Sequence, residues 1–104
     1  MKTKLPKAVK SVQKAYPKVW AAFENLGKEC HEAGPLNEKT RRLAKLAIAV
    51  GAGHEGAVHS AVRQALAAGV KREDMYHVAA LSITTIGWPA AQKAFTWISD
   101  DPKD

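Results

Sequence analysis

The stretch His54-Glu55-Gly56-Ala57-Val58-His59-Ser60-Ala61-Val62-Arg63-Gln64-Ala65-Leu66-Ala67-Ala68 decides how this chain is read. Its apolar residues recur at helical spacing and do not alternate. On a helical wheel with His54 at zero, Val58 falls at about 40°, Val62 at about 80°, Leu66 at about 120° and Ala65 at about 20°. Ala61 and Ala57 follow at about 340° and 300°, so the apolar arc is about 180° wide. His54 lies inside that arc. Glu55, at about 100°, lies between Val62 and Leu66, and His59, at about 140°, lies on the edge one turn later.

A carboxylate on the apolar side of a helix must be paired, metal-bound or protonated, because a bare buried charge is too costly. Glu55 is therefore expected to be mostly buried and within reach of His59, its i, i+4 neighbour. Ionised, it supports a protonated His59. Desolvated, it becomes a general acid or base near neutral pH. Glu55, His59 and His54 are the candidate catalytic residues. The same pair equally serves as an interior polar network or a subunit contact without catalysis. Glu-x-x-x-His also offers two metal ligands, but no other cluster has ligand spacing, so no metal is expected. No cofactor is expected either.

Outward from this helix, Pro6, Pro17, Gly34-Pro35, Gly51 to Gly53, Gly69 and Gly87-Trp88-Pro89 punctuate the chain. The segments between them predict an all-α fold of about six helices, with no strand pattern. Residues 6–15 form a short lysine-rich helix. Residues 17–33 form the second, with Pro17 at its first position and the stripe Val19, Trp20, Phe23 and Leu26. The third covers 38–50, capped by Asn37. Beyond Lys45 it is apolar all round, which predicts a central, buried end. The fourth covers 54–68 and stops at Gly69. The fifth covers 72–86, with Glu73 and Asp74 favourably placed in its first turn and Met75, Val78, Ala79, Ser82, Ile83 and Ile86 facing inward. The last covers 89–98, anchored by Phe95 and Ile98.

A length of 104 residues predicts one domain spanning 1–104. Its 46% apolar and 25% charged content is that of a globular chain. The single cysteine, Cys30, excludes an internal disulfide framework and a C-x-x-C redox pair. On its helix it reads as a buried, inert thiol. Met1 to Lys18 carries lysines and no apolar core, so no signal peptide is read there. No stretch suits a membrane span. A soluble, cytoplasmic protein with no membrane partner is expected. The net charge of +6 is concentrated at Lys2, Lys4, Lys7, Lys10, Lys14 and Lys18. No aromatic and basic recognition module accompanies it, so nucleic acid is not an expected partner. The charge does favour a small anionic molecule. His77 reads as a surface histidine.

Taken together, Leu36-Asn37-Glu38-Lys39-Thr40-Arg41-Arg42-Leu43, Gly53-His54-Glu55-Gly56, Ala65-Leu66-Ala67-Ala68-Gly69-Val70-Lys71-Arg72-Glu73-Asp74 and Gly87-Trp88-Pro89-Ala90-Ala91 resemble the carboxymuconolactone decarboxylase family, which includes the alkylhydroperoxidase D-like proteins. The similarity covers about 36–98, leaving 6–33 as a helical N-terminal extension. It implies an all-α fold and assembly as a homotrimer or homohexamer. Peroxidase-type members carry a C-x-x-C pair and a histidine on the fourth helix and a glutamate on the third. Those positions fall on His54, Ala57, Ala61 and Arg42, so all are replaced. Dithiol peroxidase activity is therefore not expected. Decarboxylase-type members lack the cysteines but keep a histidine, which again falls on Ala61. What the resemblance leaves is a rearranged acid–base set of His54, Glu55 and His59 for decarboxylation or proton transfer. The alternatives are a non-catalytic small-molecule-binding or structural oligomer, and residual thiol chemistry at Cys30.

Overall fold

Asn37 and Gly53 set the limits of the helix around which the larger part of the fold is built. The Asn37 side chain accepts a hydrogen bond from the Thr40 backbone N–H at 2.9 Å, satisfying a donor that has no partner inside the helix. Gly53 ends the helix at φ +66°, a left-handed conformation that costs glycine little. A computed structural model describes residues 7–100. Among the described residues there are six helices and no strand: α1 (Lys7–Ala15), α2 (Pro17–Glu32), α3 (Glu38–Ala52), α4 (Glu55–Ala67), α5 (Arg72–Ile86) and α6 (Trp88–Asp100). The all-α expectation holds, and α5 keeps its predicted limits. The starting residue Pro6, Lys2 and Lys4 lie outside the described residues.

The chain falls into two compact units, one holding α1 and α2 and the other α3 to α6. In the larger unit α3 packs on α4 and α5, and α6 packs on α4 and α5, so the four helices close a ring around one core. Leu46, Val58, Val62, Met75 and Ile98 fill it with side chains at full burial. Each contributes roughly 1.5–3 kcal/mol of hydrophobic stabilisation. Polar contacts pin α5 to α6 at the rim. Arg72 donates from Nη1 to the Ile98 carbonyl, near the end of α6. The Tyr76 hydroxyl and Ser99 Oγ lie 2.9 Å apart, and the Tyr76 and Phe95 rings stack at 6.1 Å.

One expectation about α3 is corrected. Leu46, Ala49 and Val50 are buried as predicted, but Ala47 is exposed and Ile48 is 71% exposed. A helix in a ring of four has core on one side only. Ala44, Ala47, Ile48 and Gly51 recur at i, i+3, i+4 and i+7 on the opposite side, making a second apolar face.

The smaller unit is a pair of packed helices, α1 against α2. Pro17 stands at the start of α2 as expected. Neither helix contains a buried residue. Val19, Phe23 and Leu26 are each about three-fifths exposed, and Trp20 and Phe23 pack their rings at 5.5 Å. Cys30 is exposed, which corrects the expectation of a buried thiol. Its position on the α2 stripe gives it a direction, but a pair of helices encloses no interior to bury it in.

Candidate functional site

The candidate site is built on the first two turns of α4. Gly53 in its left-handed conformation reverses the chain between α3 and α4, and His54 follows in an extended conformation at φ −101°. There the His54 ring closes the helix end. Its Nδ1 accepts a hydrogen bond from the Ala57 backbone N–H at 3.2 Å. That role requires an unprotonated Nδ1, so the cap selects the tautomer with its proton on Nε2. At Gly56 a Cβ would meet His54 Cε1 at 3.6 Å, an ordinary contact, so the ring does not require a glycine there. His54 is thus the N-cap of α4, one residue outside the helix that the sequence pattern starts at 54.

The capping role carries its own test. His54→Ala should destabilise the fold by about 1 kcal/mol in chemical unfolding, the usual cost of a lost cap. His54→Asp should match or exceed the native stability, because aspartate caps well and its charge suits a helix N-terminus.

Glu55 and His59 meet as their spacing predicts. His59 Nε2 donates to Glu55 Oε2 at 3.1 Å. The depth of the pair differs from the expectation. The His59 side chain is 24% exposed, but that of Glu55 is 60% exposed, which corrects its predicted burial. The wheel gives a direction around the helix axis and says nothing of position along it. Residues 52–56 are all exposed, so the first turn of α4 stands at the open end of the unit. Deeper in the helix the same face is covered, and Val58, Val62 and Ala65 are buried.

This arrangement leaves the Glu55 carboxylate open to an incoming molecule while one oxygen holds an imidazole. The carboxylate can take a proton, and His59 can carry a balancing positive charge or donate a hydrogen bond. Among the described residues no group of three or more His, Cys, Asp or Glu could hold a metal ion. His77 is exposed on α5. Arg42 has its Nε 3.0 Å from Glu38 Oε2 and is only 18% exposed. Arg41 also lies beside Glu38, at 3.8 Å. The α4 row continues to Arg63, a further i+4 step, which is half-buried. That step is legible in the sequence as Glu-x-x-x-His-x-x-x-Arg. The capping role of His54 was not, because histidine is not among the preferred N-cap residues.

Among the described residues no helix is long and apolar enough to cross a membrane. No curated protein matches the chain. Residues 17–100 match the Carboxymuconolactone decarboxylase family. The match takes in α2 as well as α3 to α6, so it begins further toward the N-terminus than the resemblance at 36–98. With most of its length matched, the chain belongs to the carboxymuconolactone decarboxylase family.

Proposed function

We propose that this chain is a cytoplasmic homo-oligomer with an acid–base site on α4, acting on a small anionic substrate by proton transfer or decarboxylation. The observation that carries this reading is the Glu55–His59 pair, 3.1 Å apart, with the carboxylate open to solvent. Glu55 is the acid or base, and His59 is the partner that compensates its charge. His54 holds the first turn and offers a ligand only its Nε2–H. The net charge of +6 favours an anionic substrate. The deciding experiment incubates the protein with a panel of small carboxylic acids and lactones in D2O. Proton NMR then follows loss of signal at carbon next to the carbonyl, and carbon dioxide release is measured in parallel. Exchange or release that depends on Glu55 supports the proposal. A panel inert with the native protein but bound by it would favour a non-catalytic binding protein.

That second reading, a binding or structural oligomer, has its own observation: the outer face of α3, where Ile48 is 71% exposed. Members of the family are often oligomeric, and such a face suits a second copy.

Thiol chemistry is the weakest alternative, since peroxide reduction by a dithiol needs a resolving partner and Cys30 is the sole cysteine. Cys30→Ser should leave stability within about 0.5 kcal/mol, as expected at an exposed site. Peroxide consumption coupled to dithiothreitol should stay at background for both proteins. A robust rate lost in the variant would restore Cys30 as a reactive residue.

A further inference from the structure

We infer that α2 of one copy of this chain pairs antiparallel with α2 of a second copy, through the stripe Val19, Phe23, Leu26 and Cys30. The inference rests on the proposed homo-oligomer and names one of its contacts; it does not involve the acid–base site on α4. Val19, Phe23 and Leu26 are each about three-fifths exposed, Cys30 is exposed, and α2 contains no buried residue. A helix of 16 residues is only marginally stable by itself in water, and most helical stability comes from packing an apolar face. The four residues follow one another at steps of four, three and four. That is the 3.5-residue period of a seam between two paired helices. Around the axis of α2 they fall within about 60° of one another.

The stripe is its own complement. Against a reversed copy of α2, Phe23 stands opposite Leu26 and Val19 opposite Cys30. Both pairs share one centre, midway between Glu24 and Asn25, which is also the midpoint of α2 (Pro17–Glu32). The two helices therefore overlap along their whole length, about 24 Å. The exposed charges favour the same direction. Lys18, Glu29 and Glu32 are exposed on one flank of the stripe. Reversal sets Lys18 of each copy at the height of Glu29 and Glu32 of the other. A parallel pairing would hold Lys18 about 16 Å or more from them along the axis, and would align the two helix dipoles. Four side chains open to this extent offer on the order of 400 Å² per copy, against about 800 Å² from each partner in a standard interface. The seam is too small to hold two chains alone, and it adds to a contact at the outer face of α3. A trimer built on a three-fold axis has no place for a two-fold seam. Of the homotrimer and the homohexamer, the seam therefore selects the homohexamer.

The test oxidises the full chain with oxidised glutathione and follows covalent dimers on non-reducing gels. In the antiparallel seam two Cys30 thiols lie about 16 Å apart, beyond disulfide reach, so the native chain should form no dimer. Val19→Cys places a second thiol opposite Cys30 of the other copy and should be converted to dimer. Peptide mapping should then find the new thiol joined to Cys30. Positions 19 and 30 of one helix are too far apart to join, so that bond forms only between copies. Adding Phe23→Asp should abolish the link, because it sets a carboxylate in the centre of the seam. Phe23→Asp alone should keep its helical content by circular dichroism, while light scattering falls from six chains to fewer, but not to one. A Cys30–Cys30 dimer of the native chain, or like-to-like bonds in Val19→Cys, would show a parallel pairing and overturn the inference. So would a native mass of three chains, or a Phe23→Asp variant that keeps the native mass. An unlinked Val19→Cys whose native parent binds phosphatidylserine vesicles through Phe23 would assign the stripe to a membrane surface instead. The two ideas fail separately. A native mass above one chain without the link to Cys30 removes the seam and leaves the homo-oligomer, whereas a native mass of one chain removes both.

Discussion

Glu55→Gln should reduce turnover by about 10²–10⁴-fold, the usual contribution of one general acid or base. Stability should barely change. The Glu55 side chain is 60% exposed and its partner is an i, i+4 neighbour on the same helix, so the pair contributes on the order of 0–1 kcal/mol. Glutamine keeps the size and polarity of the side chain and can still accept from His59 Nε2. This separates two roles that a buried carboxylate would have confounded. Deep in the core, losing the charge would strand a partner and destabilise the fold by several kcal/mol. At the open end of α4, a large loss of rate with an unchanged unfolding midpoint points to chemistry alone. Thermal unfolding and the D2O exchange assay, run on the same preparations, make the comparison. A midpoint lowered by many degrees with no effect on exchange would assign Glu55 to structure. An unchanged rate would remove it from the mechanism.

The second large effect is expected at Ile48. If the protein assembles as proposed, Ile48→Asp should convert the oligomer to single chains, read by light scattering at micromolar concentration. Ile48 is 71% exposed on the face of α3 opposite Leu46, Ala49 and Val50. In a single chain the substitution meets only water, and it costs about 0.5 kcal/mol in helix propensity. In an assembly that covers this face it buries an unpaired carboxylate in every copy. Burying an unpaired charge costs far more than the loss of one apolar contact. Helical content should therefore persist while the mass falls. A native protein that scatters as one chain would refute the proposed assembly. A variant that keeps the native mass would place the contact on another surface, such as the one around Leu81 and Trp88, which are also exposed.

Local chemistry accounts for what was legible in the sequence. Asn37 caps α3 because its short side chain reaches the Thr40 N–H, and such a contact needs no help from the rest of the fold. Gly53 and Gly69 carry positive φ at the ends of α3 and α4 for the same local reason. The period of the apolar residues put Met75, Val58, Val62 and Ile98 on inward faces, and all four are buried. The contact between Glu55 and His59 was equally readable, because four residues on a helix fix two side chains as neighbours whatever surrounds them.

What only the tertiary structure decided is how deep each direction leads. Glu55 and Val62 differ by only about 20° around α4, yet one is open to solvent and the other fully buried. The angle depends on residue spacing, but burial depends on which helices extend far enough along the axis to cover that turn. Ile48 shows the same division. Its apolar character is written in the chain, but its exposure follows from α4 and α5 packing on α3 and leaving its outer face uncovered. His54 is the third case. Its spacing put it on the stripe, while the reversal at Gly53 turned its ring onto the Ala57 N–H. Periodicity is a property of the backbone that each residue inherits from its neighbours in sequence. Exposure and the final partner of a polar group are set by residues distant in sequence and by where each helix stops.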